Sequence, residues 1–209
     1  MNVICVIGDV VKSRHTENRQ QLQHRIATQL TQLNRAQKKN VLSPYTLTLG
    51  DEFQAVYRKA DNLFRDCWII LYSVYPVRVR FSIGLGELTT KVNRKRAIGM
   101  DGPAFYAARA GIARMKESGA IFHVTRESEP VPKWINLSLD LISHFTGKWK
   151  KNRVYTFQRL LCGDTPKSIA HKASLTATGV YKNIQAGALD ILVLMFKEIE
   201  KAIDDSFNT

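Results

Sequence analysis

The sequence predicts an α+β sandwich, a sheet of paired strands crossed by helices, followed by a module that is helical throughout. Three observations carry this. Short β-branched apolar runs alternate with stretches of helical period as far as about residue 126. Residues 77–85 alternate strictly, with Val77, Val79, Phe81, Ile83 and Leu85 on one face and Arg78, Arg80 and Ser82 on the other. Beyond residues 128–132, which carry two prolines, only the helical period persists.

Each element has its own warrant. Residues 3–8, VICVIG, read as a buried strand closed by Gly8-Asp9. The basic connector Lys12-Ser13-Arg14 leads to Thr16, an N-cap for a helix to about residue 39 on which Leu22, Ile26, Leu30 and Leu33 share a face. Pro44 breaks the chain, and 45–49 and 53–57 are strands joined through Gly50-Asp51-Glu52. Residues 60–74 are helical and end before Pro76. A loop carrying Lys91, Arg94, Lys95 and Arg96 follows the alternating strand; it is a solvated loop or a guide for nucleic acid or nucleotide. From Gly102-Pro103 an alanine-rich helix runs to about 117, Gly119 stops it, and 120–125 is a last strand. Strands paired in hairpins suggest helices on one face of the sheet. Helices are then predicted at about 134–146, 148–161, 166–172, 176–186 and 188–204.

Composition narrows the class. The 209 residues are 44% hydrophobic and 23% charged, which excludes wholesale disorder. Lys and Arg number 31 against 18 Asp and Glu, a formal charge of +13 that favours polyanionic partners. Cys5, Cys67 and Cys162 offer neither a disulfide framework nor a zinc knuckle, and read as thiols in a reducing cytosol. His15, His24, His123, His144 and His171 show no paired metal-ligand spacing. No apolar run approaches the ~18 residues of a membrane span, and no leader precedes the first strand, so a cytoplasmic protein without a membrane partner is expected.

Asp9 ends the first strand and Asp51 lies in a hairpin turn. Two such aspartates can converge on one hard cation, with Lys12, Ser13 and Arg14 beside it for phosphate oxygens; the alternative is a pair of ordinary turn residues. The blocks VIGDVVKSR, TLTLGDEFQAVY, RFSIGLGE at 80–87 and DGPAFYAARA at 101–110 resemble, in order and spacing, the class III nucleotidyl cyclase core. GDEF is similar to the diguanylate cyclase signature. With the C-terminal helices included, the chain resembles the SatD family.

The resemblance implies a ferredoxin-like, nucleotidyl cyclase-like sandwich over 1–127. It further implies that Asp9 and Asp51, with the Val10 carbonyl, bind Mg²⁺ or Mn²⁺, and that Arg109 stabilises charge on a transferred phosphate. Read alone, Arg109 is a solvated arginine on an amphipathic helix, and Glu52 a third acidic ligand or a turn charge. Two residues depart from the pattern: Phe105 stands where cyclases have asparagine, and Leu47 where adenylyl cyclases have lysine.

Residues 160–185 read as a helix-turn-helix. Thr165-Pro166 opens its first helix, Ala173-Ser174 turns, and Leu175, Val180 and Ile184 hold its second. That helix presents Thr176, Thr178, Tyr181, Lys182 and Asn183 for base edges and phosphates of DNA, with docking to a protein as the alternative. Charge does not single this region out: 1–144 carry 21 basic and 12 acidic side chains, and 145–209 carry 10 and 6. The apolar face of 188–203 is wider than one core stripe, which fits a homodimer contact or packing against the helix-turn-helix.

The expected organisation is a cyclase-like unit over 1–127, a connecting helix over 128–146 and a helix-turn-helix unit over 147–209. The expected function is a DNA-binding regulator that senses a Mg²⁺-nucleotide, a nucleoside triphosphate or another. The alternatives are an active nucleotidyl cyclase whose helical module regulates it, and a fold acting through protein contacts alone.

Overall fold

The computed structural model describes residues 1–11, 18–36, 39–48 and 50–207. Among these the strands are β1 Asn2–Val10, β2 Val41–Leu47, β3 Glu52–Tyr57, β4 Val79–Glu87 and β5 Phe122–Arg126. They form one mixed sheet in the order β2-β3-β1-β4-β5, with β1 antiparallel to β3 and β4, and β5 parallel to β4. Three helices are interleaved with the strands: α1 Arg19–Ala36, α2 Leu63–Val74 and α3 Pro103–Ser118. The rest follow them: α4 Lys133–Thr146, α5 Lys151–Leu161, α6 Pro166–Ala173, α7 Ala177–Gly187 and α8 Leu189–Asp205.

The central strands are buried on both sides, which corrects the expectation of helices on one face. Val3, Ile4, Cys5, Val6 and Ile7 are all fully buried, as the unbroken apolar run of β1 demands once both faces are covered. Ile4 and Val6 join the cluster of α1 and α2, while Val3, Cys5 and Ile7 join the cluster of α3. α3 approaches closely because β4 offers glycines. A Cβ on Gly84 would lie 2.1 Å from the Ala104 carbonyl oxygen, and one on Gly111 of α3 would lie 2.1 Å from the Ser82 hydroxyl.

β2 departs from expectation at its start. It begins at Val41 and runs through Pro44, with register shifts on either side of Ser43. An edge strand tolerates a residue that cannot donate to the ladder, and β2 is at the edge.

The α1–α2 cluster continues into the C-terminal helices. Trp68 of α2 meets Phe157 edge-on at 4.9 Å and Trp149 at 5.8 Å, and Phe64 lies 4.5 Å from Phe196 of α8. α8 also completes α2 chemically. Asn62, the N-cap of α2, has φ 67° and makes no side-chain cap. Instead Glu200 Oε1 accepts from the Phe64 amide at 3.0 Å, and Asp204 Oδ1 from the Ala60 amide at 2.7 Å. No helix among the described residues is long and apolar enough to cross a membrane.

Candidate functional site

Strand register brings three of the sheet's charged residues into one row. Glu52 of β3 is paired with Asp9 of β1, and Asp9 with Arg80 of β4. Side chains two residues apart share a face, so this row continues the face of Cys5 and Ile7, under α3. Arg80 Nη1 donates to Asp9 Oδ2 at 3.1 Å, with both side chains about 15% exposed. Arg80 is the residue the sequence reading missed. Its position on the polar face of the alternating strand was legible; its pairing with Asp9 needed the register.

Val10 and Asp51 lie at the same end of the sheet, where the Val10 amide donates to the Asp51 carbonyl at 3.3 Å. Asp9, Val10 and Asp51 are therefore neighbours. Lys12, Ser13 and Arg14 lie outside the described residues. Arg109 is exposed on α3. Burial pushes the Cys5 thiol up, Arg109 pulls it down and Glu52 raises it further, so both charges act on the same stretch of β1. Phe105, one turn before Arg109, is buried in the apolar cluster of α3.

The donor set can be tested against a divalent cation. Among the described residues no three His, Cys, Asp or Glu side chains converge, and the Asp9 carboxylate already holds a guanidinium. Mg²⁺ binds through one or two carboxylates when substrate phosphates complete its shell. Asp9, Asp51 and the Val10 carbonyl are oxygen donors of the hard type such a shell uses, and a phosphate-bearing ligand would have to supply the rest.

The loop of residues 88–102 is anchored, with its cations outward. Ala97 is buried and its amide donates to Thr46 Oγ1 at 2.9 Å. Asn93 Oδ1 accepts from the amides of Lys95 and Arg96, both at 3.1 Å. Lys91, Arg94, Lys95 and Arg96 are exposed.

Among the C-terminal helices, α6 and α7 are joined by three residues, 174–176, with Ser174 in the left-handed region at φ 52°. Ile169, Ala170 and Val180 form a small separate core with Tyr155, Leu160, Leu175 and Ile184 around it. The hydroxyls of Thr165 and Thr176 cap the two helices through the amides of Ser168 and Gly179. Thr178, Tyr181 and Lys182 are exposed. Asn183 is half-buried, and its Oδ1 accepts from Arg153 Nε at 3.2 Å, so it holds α5 to α7.

α4 turns a second apolar stripe outward. Trp134, Leu137, Leu141 and Phe145, at helical spacing, are 45–66% exposed, and Ile191 and Leu194 of α8 are 56% and 61% exposed. Leu141 and Phe145 line a groove together with Ala188 and Leu192. Nothing in the spacing of α4 signals that this stripe stays open, since the helix reads as amphipathic either way.

A search of the curated proteins finds no match to the chain. The model of the SatD family matches residues 3–203, nearly its whole length, and the chain belongs to that family.

Proposed function

We propose that this protein is a DNA-binding transcription regulator whose sheet half binds a Mg²⁺-nucleotide as a sensor. The observation that carries the reading is the α6–α7 pair. Two capped helices, a three-residue turn and a core of their own hold Thr178, Tyr181 and Lys182 clear of the fold, and such an arrangement suits a helix-turn-helix with α7 as reader. In this reading residues 1–127 are the nucleotide unit, 128–146 the connection and 147–209 the DNA unit.

The ferredoxin-like, cyclase-like assignment of the sheet is supported by the antiparallel order β2-β3-β1-β4 with α1 and α2 on one face. Asp9, Asp51 and the Val10 carbonyl would hold the metal, which would draw triphosphate oxygens to that rim. Sensing is favoured over turnover by Phe105, which is buried in the core and offers a ribose no polar group. The cyclase reading draws on Arg109 and Glu52, whose charges both act on the buried Cys5 thiol of β1.

A homodimer is supported by the open stripe of α4 and α8. Its six side chains, at ~200 Å² each, expose roughly 650 Å². Exposed apolar side chains on this scale often mark an interaction site, and one side of a standard interface buries about 800 Å².

The test is selection from random duplexes by the full chain at ~150 mM salt, where nonspecific attraction is screened. Enrichment of a two-fold symmetric site is expected, and no enrichment would sink the reader. Incubation with each nucleoside triphosphate and Mg²⁺ or Mn²⁺ separates the two sheet readings. Binding without a new product is expected; a cyclic or linked product would make the protein a cyclase.

A further inference from the structure

The net charge of residues 145–209 conceals how that charge is arranged. Residues 141–189 carry eight lysines and arginines and a single acid, Asp164. Asp164 is itself held by Arg159 and by Lys172 at 3.0 Å. The remaining five acids of the C-terminal stretch all belong to α8. Two of them, Glu200 and Asp204, are turned to the amides of Phe64 in α2 and of Ala60 just before it. The segment from the end of α4 through α7 is thus more basic than the sum over the stretch indicates, and most of its cations lie at or on α5.

The basic side chains gather at one place. An open cleft is lined by Lys148, Lys150, Lys151, Asn152, Arg153 and Asn183, with no carboxylate among them. α5 begins here, and its first amides receive no side-chain cap from Lys150, so the positive end of the helix adds to the lysines. The Arg153–Asn183 hydrogen bond fixes the cleft against α7, next to Lys182. The lining carries no apolar side chain for insertion into a bilayer.

We propose that this cleft grips the phosphodiester backbone of duplex DNA alongside the groove that α7 enters. The proposal rests on the α6–α7 reading and supplies the phosphate contacts that set the register of such a helix. Lys148, Lys150 and Lys151 take successive phosphates, while Arg153 keeps the cleft and α7 in fixed relation.

The experiment is a salt titration of full-length protein on a duplex of arbitrary sequence, read by fluorescence anisotropy. Each phosphate contact contributes about −0.9 to the slope of log K against log salt. Replacing Lys148, Lys150 and Lys151 together by Gln should make the slope shallower by about 2 to 3 and weaken binding at least tenfold at ~150 mM salt. Lys116, Lys133 and Lys201, all exposed and outside the cleft, are replaced by Gln in a control of identical net charge, expected to keep most of the slope. Unchanged thermal unfolding confirms that both variants fold. An unaltered slope in the cleft variant, or an equal loss in the control, would overturn the proposal. So would loss of binding to phosphatidylserine vesicles with DNA binding intact. Because arbitrary DNA is used, the slope is decided independently of the reader, which fails separately if selection enriches no sequence.

Discussion

Asp9 shows how a single neighbour redefines a residue. At the end of a strand it offers a carboxylate to a cation, and across the ladder Arg80 already supplies one. A metal must therefore compete with a guanidinium, so Arg80→Gln should raise Mn²⁺ affinity several-fold in the presence of nucleotide, followed by paramagnetic titration. Asp9→Ala and Asp51→Ala should each abolish metal-dependent nucleotide binding; retention in both would reduce the cyclase likeness to the fold. A second residue-scale effect lies at the α2–α8 contact. Burial raises the Glu200 carboxyl to about 7 and the Asp66 carboxyl to about 6, against the pull of the Phe64 and Asn62 amides and of Arg65. A raised carboxyl favours the protonated fold, so its stabilisation is complete below the unfolded value and fades as pH climbs through the folded one. Resistance to urea should accordingly fall between pH 5 and pH 7.5, and Glu200→Gln should remove part of that fall. A flat profile in the parent protein would count against this burial.

The elements were legible to the extent that local pattern determines them. β4 alternates because one face packs on α2 and the other meets α3, and Val79, Phe81, Ile83 and Leu85 were identifiable as core from spacing alone. The helices α3 to α8 start and stop within a few residues of their expected bounds, at Pro103, Gly119 and Pro166 among other signals. What depended on tertiary contact was not legible. β2 passes through Pro44 because an edge position forgives it, and α2 does without a side-chain cap of its own where Glu200 of α8 accepts from its Phe64 amide. The second covered face follows from Gly84 and Gly111, whose meaning appears only once β4 and α3 are in contact. Gly84→Val should cost about 3 kcal/mol of stability, since its side chain meets backbone that cannot yield. Equilibrium urea unfolding measures this, and a loss below ~0.5 kcal/mol would mean that α3 can shift.

At the scale of the molecule, the basic cleft at the start of α5 and the apolar groove between α4 and α8 adjoin, sharing Lys148 and Arg153 in their linings. Leu137→Glu on the apolar side should turn a dimer into monomers in sedimentation velocity and leave the thermal unfolding temperature nearly unchanged, because Leu137 is 66% exposed. A parent protein already monomeric at micromolar concentration would exclude the dimer. The capping of α2 by α8 has a further consequence, for biosynthesis. Synthesis proceeds at roughly 5–20 residues per second, and Glu200 and Asp204 lie more than a hundred residues after the amides they satisfy. For roughly seven to twenty-seven seconds of elongation α2 stands without Glu200 and Phe64 without Phe196, and for about four to eighteen seconds Trp68 stands without Phe157. During that interval the nascent chain offers a hydrophobic aromatic surface to whatever protects new polypeptides, and a ribosome stalled before residue 196 leaves that surface open.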